Sequence, residues 1–163
     1  MELKNDILEI LGRDARASAT DIAVMVGASA GDVKAAIAEL ERDRIIVRYN
    51  AVIDWNKMGR ESVQALIEVK VTPQRGKGFD AIARRIYGFH EVCSVYLMSG
   101  AYDLMVLVER NTMREVAFFV AEKLSTIEGV LSTATHFVLK KYKDNGIIIE
   151  GDENSDERLA VTP

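Results

Sequence analysis

The order of hydrophobic patterns across residues 63–139 constrains this chain more than any other feature. Val63, Ala65, Ile67, Val69 and Val71 alternate with period two, which predicts a strand apolar on one face and stopped by Pro73. A loop at Gln74–Gly78 leads to Phe79, Ile82, Ala83 and Ile86, which recur at helical spacing. Two apolar runs within Val92–Glu109 are too short for a core helix, β-branched and bounded by turn signals, so both read as buried strands. Their link, Ser99-Gly100-Ala101-Tyr102-Asp103, has a glycine, free to take positive φ, and an acid at the mouth of the next strand. Thr112-Met-Arg-Glu115 is a capping box opening a helix with Met113, Val116, Ala117, Val120, Leu124 and Ile127 inward, ended by Gly129. Leu131–Leu139 alternates again. The order β-α-β-β-α-β is that of a ferredoxin-like split unit, an α+β fold.

The first third reads as three short helices. Leu3, Ile7, Leu8, Ile10 and Leu11 form the stripe of the first, which ends at Gly12. Ser18-Ala-Thr-Asp21 caps a second helix, Gly27 stops it, and Ser29-Ala-Gly-Asp32 caps a third with Val33, Ile37 and Leu40 inward. Two capped helices joined by a three-residue glycine turn make a helix-turn-helix. Arg44–Tyr49 and Val52–Asp54 flank Asn50-Ala51 and are expected to pair as a β-wing, giving a winged helix-turn-helix over residues 1–54. Residues 55–62, opening with Trp55-Asn-Lys-Met-Gly59, read as a hinge. Residues 63–143 form the second domain, and 144–163 a C-terminal tail with an acidic run at Glu150–Glu157, expected to be disordered. Within the tail, Ile147–Ile149 is expected to add a short strand.

A net charge of −4 supplies no global basic field, though DNA binding requires only a basic contacting face. The single Cys93 excludes an internal disulfide and reads as a buried structural thiol. No signal-like segment and no membrane-length apolar run occurs, so a soluble, cytoplasmic protein is expected. His90 and His136 lack ligand-spaced partners, and no metal, cofactor or catalytic group is expected.

On Asp6–Leu11, Arg16-Ala-Ser18, Leu40-Glu41 with Ile45-Ile46, Tyr49-Asn-Ala51, Asp54, Gly59, Ser99–Leu104, Gly129-Val130 and Thr135, residues 3–143 resemble the Lrp/AsnC, or feast/famine, transcription regulators. The resemblance implies dimers that bind double-stranded operator DNA, assembly of dimers into octamers, and a small-molecule effector, usually an amino acid. It places effector contacts on the Gly-x-Tyr-Asp hairpin, here Gly100, Tyr102 and Asp103 with Ser99 beside them. Thr133 and Thr135, on one face of the last strand, are added as candidates, although β-propensity already accounts for them. Asp103 fits either an effector amino group or a turn carboxylate on backbone N–H groups.

The third helix leaves Ser29, Ala30, Gly31, Lys34, Ala35 and Ala38 to face a groove, with Lys34 the one cation and no Arg, Asn or Gln for bidentate base contacts. Where the family often has an arginine before the isoleucine, Ala36 stands here, and Arg44 replaces the glycine before Ile45-Ile46. Residues 1–60 hold nine Lys/Arg against ten Asp/Glu, a net of −1. Arg42, Arg44 and Arg48 cluster where phosphates would lie. The leading expectation is an effector-responsive, sequence-specific DNA-binding regulator and not an enzyme. The alternatives are a metabolite-sensing oligomer with weakened DNA binding, and an enzyme resembling the siroheme decarboxylases that share this two-domain build.

Overall fold

Local capping chemistry shapes the amino-terminal helices. In the computed structural model, which describes residues 2–59, 62–72 and 78–149, the chain divides into two compact units, Met1–Ile53 and Asp54–Pro163. In the first unit, α1 spans Glu2–Arg13, α2 Ala19–Val26 and α3 Ala30–Arg42. Ser18 Oγ accepts the Asp21 N–H at 3.1 Å, closing the capping box, and Gly27 ends α2 in a left-handed conformation. Ile7, Ile22, Val33 and Leu40 are fully buried between the helices, each worth roughly 2 kcal/mol of transfer free energy. The inward face of α3 is Val33, Ala36 and Leu40, with the expected Ile37 only half-buried. Ala36 thus sits in the core, where a small side chain fits.

The expected β-wing is not formed. Arg44–Tyr49 and Val52–Asp54 carry no ladder, and the chain leaves α3 through Arg44 at φ 56°, with Ile45 and Ile46 N–H both donating to the Leu40 carbonyl. Only Ile46 of this stretch packs on the helical core, and Ile45, Val47, Tyr49, Val52 and Ile53 are exposed. A short 3-10 turn follows at Trp55–Met58.

The second unit places β1 (Val63–Val71), α4 (Asp80–Tyr87), β2 (Val92–Leu97), β3 (Leu104–Arg110), α5 (Met113–Phe118) and β4 (Val130–Phe137) in the expected order. The sheet is antiparallel, in the order β2-β3-β1-β4. Directly opposed residues share a face. Ala65, Ile67 and Val69 oppose Val108, Val106 and Leu104, and these six are buried beneath α4 and α5. The alternate residues Leu66, Glu68, Met105 and Leu107, with Ala134 and His136 of β4, form a second face that no helix among the described residues of the unit covers. Residues 74–77 of the expected loop and the acidic run at 150–157 lie outside the described residues.

Several expectations are corrected by the way the chain packs. α5 passes at Phe119–Leu124 into a wider π turn. That change of phase buries Phe119 and Leu124 five residues apart, while in the α-helical turn before it Val116 points inward and Met113 and Ala117 are exposed. Of the two runs read as buried strands, only β3 is buried. β2 is a sheet edge, and its Tyr96 and Leu97 are exposed. Cys93 is exposed too, because it is the extra residue of a bulge between Val92 and Ser94. Partial desolvation of its sulfur against the sheet edge, followed by the charge of Glu109, raises its pKa, which disfavours the thiolate. β4 ends at Phe137, and Leu139 is exposed. Past it, Lys143–Asp144 (β5) pairs with Ile147–Ile148 (β6) around Asn145-Gly146, both at positive φ. The Asn-Gly pair was the available signal for this hairpin.

Candidate DNA-binding face and effector hairpin

On α3 the fold separates an inward from an outward stripe. Lys34, Ala35 and Ala38 are exposed, as are Ser29 and Gly31, whereas Ala30 is half-buried against the helical core. Ser29 is committed to the helix: its Oγ accepts the Asp32 N–H at 3.1 Å and donates to Asp32 Oδ2 at 2.7 Å.

Beyond α3 the cations differ in availability. Arg42 Nε lies 2.9 Å from Asp43 Oδ1, and an Arg42 terminal nitrogen 3.9 Å from Glu39 Oε1. Its hydrogen bond with Asp43 raises its pKa and places a carboxylate beside its charge. Lys4 pairs with Glu39 at 2.7 Å. Tyr49 donates to Glu41 at 2.9 Å, and burial, then this bond, raises the Tyr49 pKa. Arg44 and Arg48 are exposed.

The left-handed conformation of Arg44 costs a non-glycine residue roughly 1–2 kcal/mol. Arg44→Gly is expected to stabilise the first unit by about 1 kcal/mol in urea unfolding, while weakening DNA binding through loss of a cation. A variant no more stable than the parent would show that the backbone there is unstrained.

At the β2–β3 connection, Ser99 and Gly100 are exposed and Gly100 has φ 154°. Asp103 is a cross-strand staple. Its Oδ2 accepts the Val71 N–H at 2.9 Å, its own N–H donates to the Val69 carbonyl at 3.1 Å, and its carbonyl accepts the Met98 N–H at 2.8 Å. The backbone-partner reading of Asp103 therefore describes its bonding, with the partner on β1 and not in the turn. That carboxylate satisfies an N–H beside the bulge at Lys70/Val71, where the ladder slips. Tyr102 is half-buried, its hydroxyl 3.8 Å from the sulfur of Met105, a residue of the uncovered sheet face.

Thr133 and Thr135 oppose Val69 and Ile67, so they lie on the helix-covered face, and Thr133 Oγ1 is 3.5 Å from Ser125 Oγ. The hairpin residues are together, but Tyr102 and the two threonines are turned to opposite faces. Glu91, which the sequence did not single out, is buried, with Lys123 Nζ 2.6 Å from its Oε1 and His90 Nδ1 3.3 Å from its Oε2. Among the described residues no cluster of three metal-type ligands occurs, and no helix is long and apolar enough to cross a membrane.

Known proteins share both units. Residues 2–47 match the winged helix-turn-helix DNA-binding model, and residues 64–148 the Lrp/AsnC ligand binding domain. The chain is 52% identical over 164 residues to the HTH-type transcriptional regulator YugG of Bacillus subtilis, spanning 99% of this chain and 98% of that one. It is 28% identical to the proline dehydrogenase transcriptional activator of Rhizobium radiobacter, over 86% of this chain and 90% of the relative. Among solved structures it is similar to a transcriptional regulator of Neisseria meningitidis in complex with L-Met, with a TM-score of 0.72 and 22% identity over 91% and 95% of the two chains. It is also similar to AsnC of E. coli, with a TM-score of 0.67 and 21% identity over 86% and 93%. The relatives' names are those of transcriptional regulators and not of enzymes. A helix-turn-helix unit that leaves one face of α3 uncovered, followed by a β-α-β-β-α-β unit, each matched by its own model, makes this chain a member of the Lrp/AsnC family of DNA-binding, effector-sensing transcriptional regulators.

Proposed function

We infer that the chain acts as a homodimer, built further into octamers, that binds operator DNA through α3 and releases or tightens it when an amino acid engages the β2–β3 hairpin. The observation that carries this reading is the pairing of a groove-ready α3 with a sheet covered by helices on one side only. A half-covered sheet with Leu66, Met105 and Leu107 on its free face calls for a second layer, which another copy supplies. The L-Met complex of the Neisseria regulator and the proline dehydrogenase activator support an amino acid as the effector class. Within the hairpin, Gly100 offers an exposed backbone, Tyr102 an aromatic wall and Asp103 a carboxylate for an ammonium group, the threonines on the opposite face being left to packing. Arg44 and Arg48, with Lys34, supply the phosphate and base contacts. No cofactor beyond the effector is required.

The test is fluorescence anisotropy on operator DNA recovered by genomic selection, with an amino-acid panel and a salt series. Specific binding that one amino acid shifts by at least fivefold, the low end of ordinary coupling, is expected. Asp103→Ala should abolish that shift while the protein still binds DNA. No preference for any genomic fragment over random DNA would remove the regulator reading. The ion pairing of Arg42 favours the alternative of a metabolite-sensing oligomer with weak DNA binding, which predicts effector-dependent oligomer size by light scattering without any operator.

A further inference from the structure

The outward stripe of α3 has an unusual chemistry for a helix that reads DNA. At 100° per residue, Gly31, Lys34, Ala35 and Ala38 fall within a band about 120° wide, opposite the buried Val33, Ala36 and Leu40. The same band ends in Glu41 and Arg42, the first bonded to Tyr49 and the second to Asp43. Ser29 is spent on the helix cap and Ala30 on the core, which takes both out of base reading. One long polar side chain, two methyl groups and a bare backbone remain.

Gly31 adds an independent observation. A Cβ built there would meet only Ser29 Oγ, at 3.6 Å, so packing does not demand a glycine. A glycine inside a helix costs roughly 0.5–1 kcal/mol relative to alanine. A position that neither the fold nor the backbone requires to be glycine, on the face pointed at a groove, lets the first turn of α3 approach the bases closely.

Resting on the DNA-binding role above, we propose that α3 reads thymine methyl groups through the Cβ atoms of Ala35 and Ala38, and one guanine per half-site through Lys34. The chemistry is complementary: the thymine C5-methyl is the one apolar group on the major-groove edge, and guanine O6 and N7 accept from an ammonium. Of Arg, Asn and Gln the stripe holds only Arg42, in its last turn and paired with Asp43, so its first turns offer no bidentate readout of guanine and adenine. Operators are therefore thymine-rich in each half-site, around a single guanine whose identity depends on Lys34.

The test uses the full chain and a selected operator. Each thymine is replaced in turn by deoxyuridine, which removes only the methyl. Two or more positions per half-site are expected to lose about threefold to fourfold in affinity, the worth of one buried methyl group. Lys34→Met, at an exposed position, should flatten the preference at one G·C pair by tenfold or more, and Gly31→Leu should abolish specific binding, while neither variant melts below the parent. Deoxyuridine tolerated at every position would overturn the proposal. So would Lys34→Met weakening all sequences equally with a salt slope about one lower, since Lys34 would then be a phosphate contact. Failure to bind any DNA specifically would instead count against the DNA-binding role itself.

Discussion

Gly129→Val is expected to unfold the second unit while the helical unit keeps its structure. Gly129 joins the π turn to β4 at φ 95°, a region that a β-branched residue adopts only under strain. A Cβ there would stand 2.8 Å from Ile82 Cδ1 and 3.5 Å from the Thr72 carbonyl. Ile82 is itself fully enclosed in the core, so its methyl has nowhere to move. Backbone strain of ~1–2 kcal/mol and overpacking of ~1–3 kcal/mol together approach the marginal stability of a unit this size. The Gly129 carbonyl also accepts the Thr72 N–H at 2.8 Å, so a displaced backbone would loosen the end of β1. Gly100 is the internal control. It too has positive φ, but a Cβ there meets nothing within 4 Å, so Gly100→Ala should cost about 1 kcal/mol of backbone strain and no more. Urea unfolding followed by Trp55 fluorescence and far-ultraviolet dichroism measures both; equal losses at the two positions would show that the Ile82 wall is irrelevant.

The Glu91–Lys123 pair predicts an asymmetry. Glu91 is 5% exposed and Lys123 41%, so each group meets a different solvent when its partner is removed. Lys123→Met strands a carboxylate in the interior, at a cost of roughly 3 kcal/mol. Glu91→Gln leaves a lysine that can turn to water, and should cost about 1 kcal/mol. The pH dependence separates the two further. Burial on its own raises the Glu91 carboxyl, but the Lys123 bond, its own backbone N–H and the charges of His90 and Lys123 outweigh burial and hold its pKa below the ordinary carboxylate value. A folded pKa below the unfolded one means the parent has this stabilisation in full above the unfolded pKa and loses it as pH falls through the folded pKa. In Lys123→Met burial of Glu91 is opposed only by its own backbone N–H and the neighbouring His90, so the variant lacks most of this stabilisation at neutral pH and should gain on the parent as acid neutralises the stranded carboxylate. Urea midpoints between pH 3 and 7 report this, and parallel profiles for the parent and Lys123→Met would sink the account.

Much of the fold was legible because it is written in short-range code. Ser18 and Thr112 cap where their spacing to Asp21 and Glu115 said they would, and the alternation of Val63–Val71 placed Ala65, Ile67 and Val69 inside. The failures share one cause. One 3.6-residue period from Met113 to Ile127 does not hold across the π turn at Phe119–Leu124, which has no sequence signal, and the stripe that is buried before it is narrower than expected, with Met113 and Ala117 exposed. Cys93 was set inside because its run is apolar, and a bulge on an edge strand put it outside. Val47, Val52 and Ile53 carry strand propensity but pair with no strand among the described residues.

The candidate site divides in the same way. The order of the helices and the four main strands, and the exposure of Gly31, Lys34, Ala35 and Ala38 on α3, follow from the amino-acid sequence alone, because caps, period and glycine punctuation act between neighbours along the chain. That Asp103 staples β3 to β1, that Thr133 and Thr135 turn away from Tyr102, and that Arg42 pairs with Asp43 and Glu39 emerges only once the chain is packed. The strand contacts join residues more than thirty apart, and the charge of Arg42 depends on the rotamers of its neighbours. Alternation tells which residues of a strand share a face, but which strands pair, and which rotamers charged neighbours adopt, are fixed only when the sheet closes over its core.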